Sequence, residues 1–151
     1  MTKGFVFCMT FLYLVLPNVS AAGSLTDNGN GTVTDSGTLL TWQQGENSAM
    51  TWDAALTYCE GLTLAGQTDW RLPNIKELSS IVDDSRISPA INTTLFPNVS
   101  SLSGLLSYWS STTEAYFISN SYVFLVGFSS GLSGSDIKTV PHYVRCVHGG
   151  Q

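Results

Sequence analysis

Charge is what this sequence has least of. Charged residues make up 11% of its 151 positions, against about 25% in an ordinary soluble domain. Only six are basic (Lys3, Arg71, Lys76, Arg86, Lys138 and Arg145), and they are scattered along the chain. A nucleic-acid binder draws most of its affinity from phosphate contacts and shows a basic stripe, so that partner class is set aside. Also missing are a heptad pattern, a Gly-X-Y period and the low-hydrophobicity, high-charge signature of disorder. No apolar run after residue 22 reaches the roughly 20 residues that a membrane-spanning helix needs. Hydrophobic content is near normal at 43%, so small polar groups stand where charge would be. Ser (20), Thr (16) and Gly (14) fill 50 of the 151 positions, a mix suited to an uncharged, loop-rich, β-containing surface outside the cytoplasm.

The first 22 residues have the layout of a secretory signal peptide. Lys3 is a positive n-region, Gly4 to Leu16 is an uncharged run of 13 residues, and Pro17 breaks it. Ser20-Ala21-Ala22 then places small residues at a cleavage site after Ala22. Thirteen residues are too few to cross a bilayer, and Cys8 sits inside the apolar run, so it leaves with the leader. Residues 23–151 remain as one domain of about 129 residues. Five basic residues then face eleven acidic ones, a net charge of −6. Two cysteines survive, Cys59 and Cys146. In an oxidising compartment they have one intramolecular pairing open to them, a bridge from the first helix to the last strand.

Thr32–Thr34 and Leu39–Trp42 flank a Gly-containing turn and read as a β-hairpin. Thr51 opens a helix with Asp53 near its positive end. Trp52, Ala55, Leu56, Cys59 and Leu62 recur at helical spacing up to a stop at Gly66. A second helix starts at Asn74, where Glu77 three residues on completes a capping box, with Ile75, Leu78, Ile81 and Val82 as its apolar stripe. Residues 85–106 read as a long ordered loop anchored by Pro89, Ile91, Leu95, Phe96 and Pro97. Strands are expected at 107–111, 122–128 and 143–147, with 129–134 as a Gly-rich turn. Helices early and strands late make an α+β domain.

An ordered set of motifs runs through this frame. Asp27-Asn-Gly-Asn-Gly-Thr-Val-Thr-Asp35 leads into Leu40-Thr-Trp42, then Thr51-Trp-Asp-Ala-Ala55 and Tyr58-Cys59. Asp69-Trp-Arg-Leu-Pro-Asn74, Lys76-Glu-Leu78, Tyr108-Trp-Ser-Ser-Thr112 and Tyr143-Val-Arg-Cys-Val147 follow. In this order the set resembles the C-terminal domain of collagen-like bacterial adhesins, the Lcl C-terminal domain family. The resemblance implies a C-type-lectin-like, formylglycine-generating-enzyme-like fold, two helices on a twisted, loop-rich antiparallel sheet. It also implies a secreted, periplasmic or cell-surface module that could be a homo-oligomer. In the adhesin that names the family the domain trimerises and binds sulfated polysaccharides. This chain has no Gly-X-Y stalk, and polyanion binding would need Arg71, Arg86, Lys138 and Arg145 to converge.

Candidate site residues divide in two. Trp70, Arg71, Pro73, Glu77 and Arg145 read as structural, each arginine a fork held by a carboxylate or backbone carbonyls. Tyr108, Trp109, Tyr116 and Tyr122 are candidates for an aromatic platform against the apolar face of a sugar, although rings of this size are also core material. Asp27, Asn28, Asn30 and Asp35 offer the oxygen chemistry of calcium, but Gly29 and Gly31 fall where an EF-hand needs ligand side chains, and Asx-Gly runs make ordinary turns. His142 and His148 are too few for a metal or acid–base site, and His148 is expected in solvent. Neither a metal nor a cofactor is expected. With both cysteines assigned to a bridge and no nucleophile motif beside a histidine, the expectation is a non-enzymatic binding module for a glycan or extracellular partner. The alternative is a structural or assembly component of an envelope or surface complex without a small ligand.

Overall fold

A computed structural model of the chain describes residues 23–99, 107–115 and 121–150. Its elements follow in chain order: β1 (Leu25–Asp27), β2 (Thr32–Asp35), β3 (Leu40–Gln43), β4 (Asn47–Met50), α1 (Trp52–Glu60), α2 (Ile75–Ser80), β5 (Tyr108–Thr113), β6 (Tyr122–Gly127), β7 (Leu132–Ile137), β8 (His142–Val144) and β9 (Val147–Gly149). The class is α+β. The strands form two sheets rather than the one expected. One is antiparallel in the order β1-β2-β3-β9, and the other runs β4-β8-β5-β6-β7, with β5 and β8 parallel. The leader lies outside the described residues.

The expected hairpin is β2–β3, and its register sets Val33 opposite Trp42, both fully buried. The strand expected at 143–147 is divided. His142–Val144 joins the five-stranded sheet, and Val147–Gly149 turns away to pair with β3. Buried Arg145 and Cys146 make the crossing, so the segment is at least partly buried throughout without being one strand. Residues 129–131 form a turn as expected, but β7 takes the second half of the expected turn from Leu132 on. Its residues are almost all exposed, so they carry no burial periodicity by which to recognise a strand.

The capping box is present at α2. Asn74 Oδ1 accepts from the Glu77 amide at 2.9 Å, and Glu77 Oε2 accepts from the Asn74 amide at 2.8 Å. Thr51 is the N-cap of α1 but makes no side-chain cap; the Trp52 amide instead donates to the Lys138 carbonyl at 3.0 Å. α1 ends at Gly61, earlier than expected. Gly66 serves a different purpose: with Ala65 at φ 53° and Gly66 at φ 78°, the two form a tight turn between Leu64 and Gln67. Both turn residues need positive φ, which glycine adopts without strain.

Cross-strand pairs decide which helix covers which face. Tyr108 lies opposite Val126 and Trp109 opposite Leu125, so the two pairs point to opposite sides. Tyr108 and Val126 pack with Leu78 of α2 and Ile81 at its C-cap, and with Val33, Trp42 and Val147 of the four-stranded sheet. Trp109, Val123 and Leu125 pack with Ala55 and Cys59 of α1. In the long loop, Ile91 and Phe96 are buried anchors and Leu95 packs against them, whereas Pro97 is exposed and anchors nothing.

Cys59 and Cys146 form a disulfide across 87 positions. In the chain-entropy model, closing a loop of that length in the unfolded state stabilises the fold by about 4–5 kcal/mol. Replacing both cysteines with alanine is expected to lower the unfolding free energy by about that amount in denaturant titration; a loss below about 1 kcal/mol would mean that the bridge is incidental to stability.

Candidate functional site

The aromatic platform was expected from four residues, and the structure redistributes them. Trp109 is fully buried, its indole N–H donating to the Met50 carbonyl at 3.0 Å and its ring edge-on to His142 at 4.5 Å. Tyr108 is fully buried on the other side, packed against Phe128 at 5.0 Å and Tyr143 at 5.7 Å, with its hydroxyl donating to the Glu46 carboxylate. Neither ring offers a face to a ligand. Strand β5 is internal to its sheet with both faces covered, so its large residues become core. Tyr116 lies outside the described residues.

Tyr122 is different. It is half-buried at the start of β6, and Phe124, two positions on and therefore on the same face, is half-buried as well. Next to them runs β7, where Phe124 is opposite Ser135 and Tyr122 opposite Ile137. Ser133 and Ser135 are exposed and too small to cover the rings, and Ile137 is 39% exposed. Phe124 was absent from the sequence-derived platform. The alternation of Tyr122 and Phe124 with Val123 and Leu125 was the available signal, and the exposure of the neighbouring strand decides its meaning. Tyr122, Phe124 and Ile137 thus form a partly open apolar surface bordered by serines.

Residues of the 70–77 motif hold the two sheets together. Trp70 is buried and donates to the Gln67 carbonyl at 3.2 Å. The Pro73 carbonyl accepts from the Ser111 amide at 2.7 Å. Arg71 makes two backbone bonds with Val147, at 2.8 and 2.9 Å, and its guanidinium grips both Glu77 oxygens at 2.8 Å. A further bond reaches the Gly149 carbonyl at 3.1 Å. The Arg71 side chain is 42% exposed and that of Glu77 19%, so this is a part-solvated fork rather than a buried one. Hydrogen bonding to Glu77 raises the Arg71 pKa. Burial pushes the Glu77 carboxyl up, but the bonds from Arg71 and the Asn74 amide outweigh it, and Glu77 rests below the usual carboxylate range. A cavity of about 400 Å3 lies beside this pair, lined by Gly37, Thr38, Asn74, Lys76, Glu77 and Gly150 among others.

Arg145 is the buried arginine. It donates to the Gln43 carbonyl at 2.8 Å and to that of Gln44, and stacks on Phe96 at 4.7 Å and Tyr108 at 5.7 Å. Burial pushes its pKa down to about 10, opposed by the charge of Glu46. The cations do not converge. Arg71 is paired with Glu77, Arg86 with Asp83 at 2.7 Å, Lys138 sits 4.3 Å over the Trp52 ring, and Arg145 is inside.

In the Asp27–Asp35 turn the oxygens serve the chain itself. Asp27 accepts from Gly29 and Gln44, and Asn30 from Thr32, the first of these holding the Asp27 carboxyl below its ordinary pKa. Among the described residues no three of His, Cys, Asp and Glu gather as a metal site. His148 is not in open solvent as expected: it packs on Trp70 at 5.6 Å, with Nδ1 2.8 Å from Asp69. His142 is buried, its Nδ1 accepting from the Ser107 amide at 3.2 Å and its Nε2 2.9 Å from Asp136.

The two arginines should behave differently. Glu77→Gln keeps the capping geometry and loses one half-exposed ion pair, an expected cost of about 1 kcal/mol at neutral pH. Because the folded-state pKa of Glu77 is lowered, its contribution is present above the unfolded value and lost as pH falls through the folded one. The gap between wild type and variant in melting temperature should therefore begin to narrow as pH falls below about 4.3 and close once pH is below the folded-state value; a gap that does not narrow would refute the ion-pair account. Arg145→Ala takes a donor from the Gln43 and Gln44 carbonyls and opens a hole beside the Phe96 and Tyr108 rings, and should cost about 3–5 kcal/mol in the same assay.

The model of a protein family described as the Lcl C-terminal domain matches residues 31–148 of the chain. No curated protein and no solved structure matches it.

Proposed function

The chain belongs to the Lcl C-terminal domain family, and from that premise we propose that it is an extracellular, non-enzymatic module that binds a neutral glycan. The observation that carries the reading is the pair of half-exposed rings, Tyr122 and Phe124, on one face of β6 beside the serines of β7. Aromatic faces stack on the apolar side of a sugar ring, and surrounding hydroxyls can bond its edges. The dispersed cations favour a neutral glycan over a sulfated one. The last strand, β9, pairs back onto β3 of the N-terminal hairpin, and a long stretch of chain separates the helices from β5. Both features support a C-type-lectin-like fold.

The disulfide supports an oxidising compartment, which favours a periplasmic, cell-surface or secreted module with the leader removed. No helix among the described residues is long and apolar enough to cross a membrane. The non-enzymatic reading rests on the chemistry left over: both cysteines are spent in the bridge, and each histidine lies against an aspartate in the folded framework. A second reading, an assembly component, draws on β7. It is an edge strand without lysine or proline, with Leu132 70% exposed, and such an edge can pair with another chain.

The oxidised chain from residue 23 should be screened against neutral and sulfated glycans at two salt concentrations. Binding to a neutral glycan that ignores salt, and falls about tenfold or more in Tyr122→Ala and in Phe124→Ala with the melting temperature little changed, is the expected result. Binding that weakens with salt and survives both substitutions would assign recognition to cations. No binding to any glycan would favour the assembly role.

A further inference from the structure

Asp35 is the only buried carboxylate among the described residues, at 8% exposed. Its oxygens accept from the Gly37 amide at 2.8 Å and the Thr38 hydroxyl at 2.7 Å. None of the ion pairs among the described residues reaches it. A carboxylate withdrawn from water this far ordinarily has a cation beside it.

The backbone of Gly23 lies against it. A Cβ placed on Gly23 would stand 2.5 Å from Asp35 Oδ1 and 2.6 Å from the Gly37 backbone. Bond lengths then hold the Gly23 Cα within about 4 Å of that oxygen. Only glycine fits here. The next residue is latched in place: the Ser24 amide donates to Ser36 Oγ at 2.9 Å, and the Ser36 amide donates to the Ser24 carbonyl at 3.1 Å. Residue 23 is also the first after the cleavage site read from Ser20-Ala21-Ala22.

We propose that removal of the leader creates the missing counter-ion. A signal peptidase adds water across the Ala22–Gly23 amide; Ala22 leaves as a carboxylate, and the Gly23 nitrogen takes up protons to become an α-ammonium. That ammonium pairs with Asp35. In the precursor the same nitrogen is a neutral amide, so the pair exists only in the processed chain, and processing tightens the β1–β2 end of the four-stranded sheet. The requirement for glycine follows, because any side chain at residue 23 would collide with the carboxylate that the ammonium must reach.

The intact mass of the secreted, processed protein should correspond to a chain beginning at Gly23; any other first residue overturns the proposal. A chain beginning at Gly23 should then be compared with the same chain carrying an Nα-acetyl cap, each with and without Asp35→Asn. The cap is expected to lower the melting temperature by about 3–6 °C with Asp35 present and to have no effect with Asn. A cap without effect, or one equally costly in both backgrounds, removes the ion pair. Should Asp35→Asn not fold, the 15N-labelled Gly23 amine supplies the answer. A titration above the ordinary α-amino range of about 7.7–8.0 supports the pair, and one within that range refutes it.

Discussion

The crossing at Arg145 and Cys146 is the constraint on which the rest of the structure depends. Two residues carry the chain from the five-stranded sheet to the four-stranded one, and each is fixed by contacts far away in sequence. Arg145 binds the carbonyls of Gln43 and Gln44, while Cys146 is bonded to Cys59 of α1. The Cys146 carbonyl accepts from the Gln43 amide at 2.9 Å, and its amide donates to the Gln43 side chain at 3.2 Å. One residue later, Val147 pairs with Arg71. Each connection spans a long stretch of chain, so the entropy of ordering it is large. Placing a covalent bond among them is an economical solution for a domain with few ion pairs.

A low charge content makes each remaining charge more conspicuous. The clearest example is Arg145, which binds carbonyls on one edge and stacks on rings, with Glu46 near enough to favour its charged form. A lysine could not replace it, because a point charge has no planar face to lay against the Phe96 and Tyr108 rings. Arg71 uses the same chemistry at the surface, where its value is mainly geometric: it aligns the start of α2 with the last strand.

The parts of this architecture legible in the sequence were those with local chemical signatures. The β2–β3 hairpin has a glycine-containing turn between β-branched runs, α2 has its capping box, and two cysteines have one partner each. The elements that escaped, β1, β4 and β7, are three to six residues long and contain no fully buried residue. No alternation of buried and exposed positions marks them, and their strand character comes from the neighbour they pair with. The division of 143–147 was invisible for the opposite reason: every residue there is at least partly buried, so periodicity had nothing to report.

The aromatic residues show why a motif cannot separate core from site. Tyr108, Trp109, Tyr122 and Phe124 lie on adjacent strands with similar composition around them, and side-chain chemistry does not distinguish them. Position in the sheet does. β5 lies between β8 and β6, with a helix packed on each side, so a large ring there is enclosed whichever way it points. β6 is followed only by the edge strand β7, whose middle bears Ser133, Gly134 and Ser135 instead of bulky side chains. A ring on β6 thus keeps one neighbour that buries it and one that does not. The same small residues that leave the edge of this sheet thin are what leave Tyr122 and Phe124 partly open, so in the proposed glycan site the hydroxyl-rich strand counts as much as the rings.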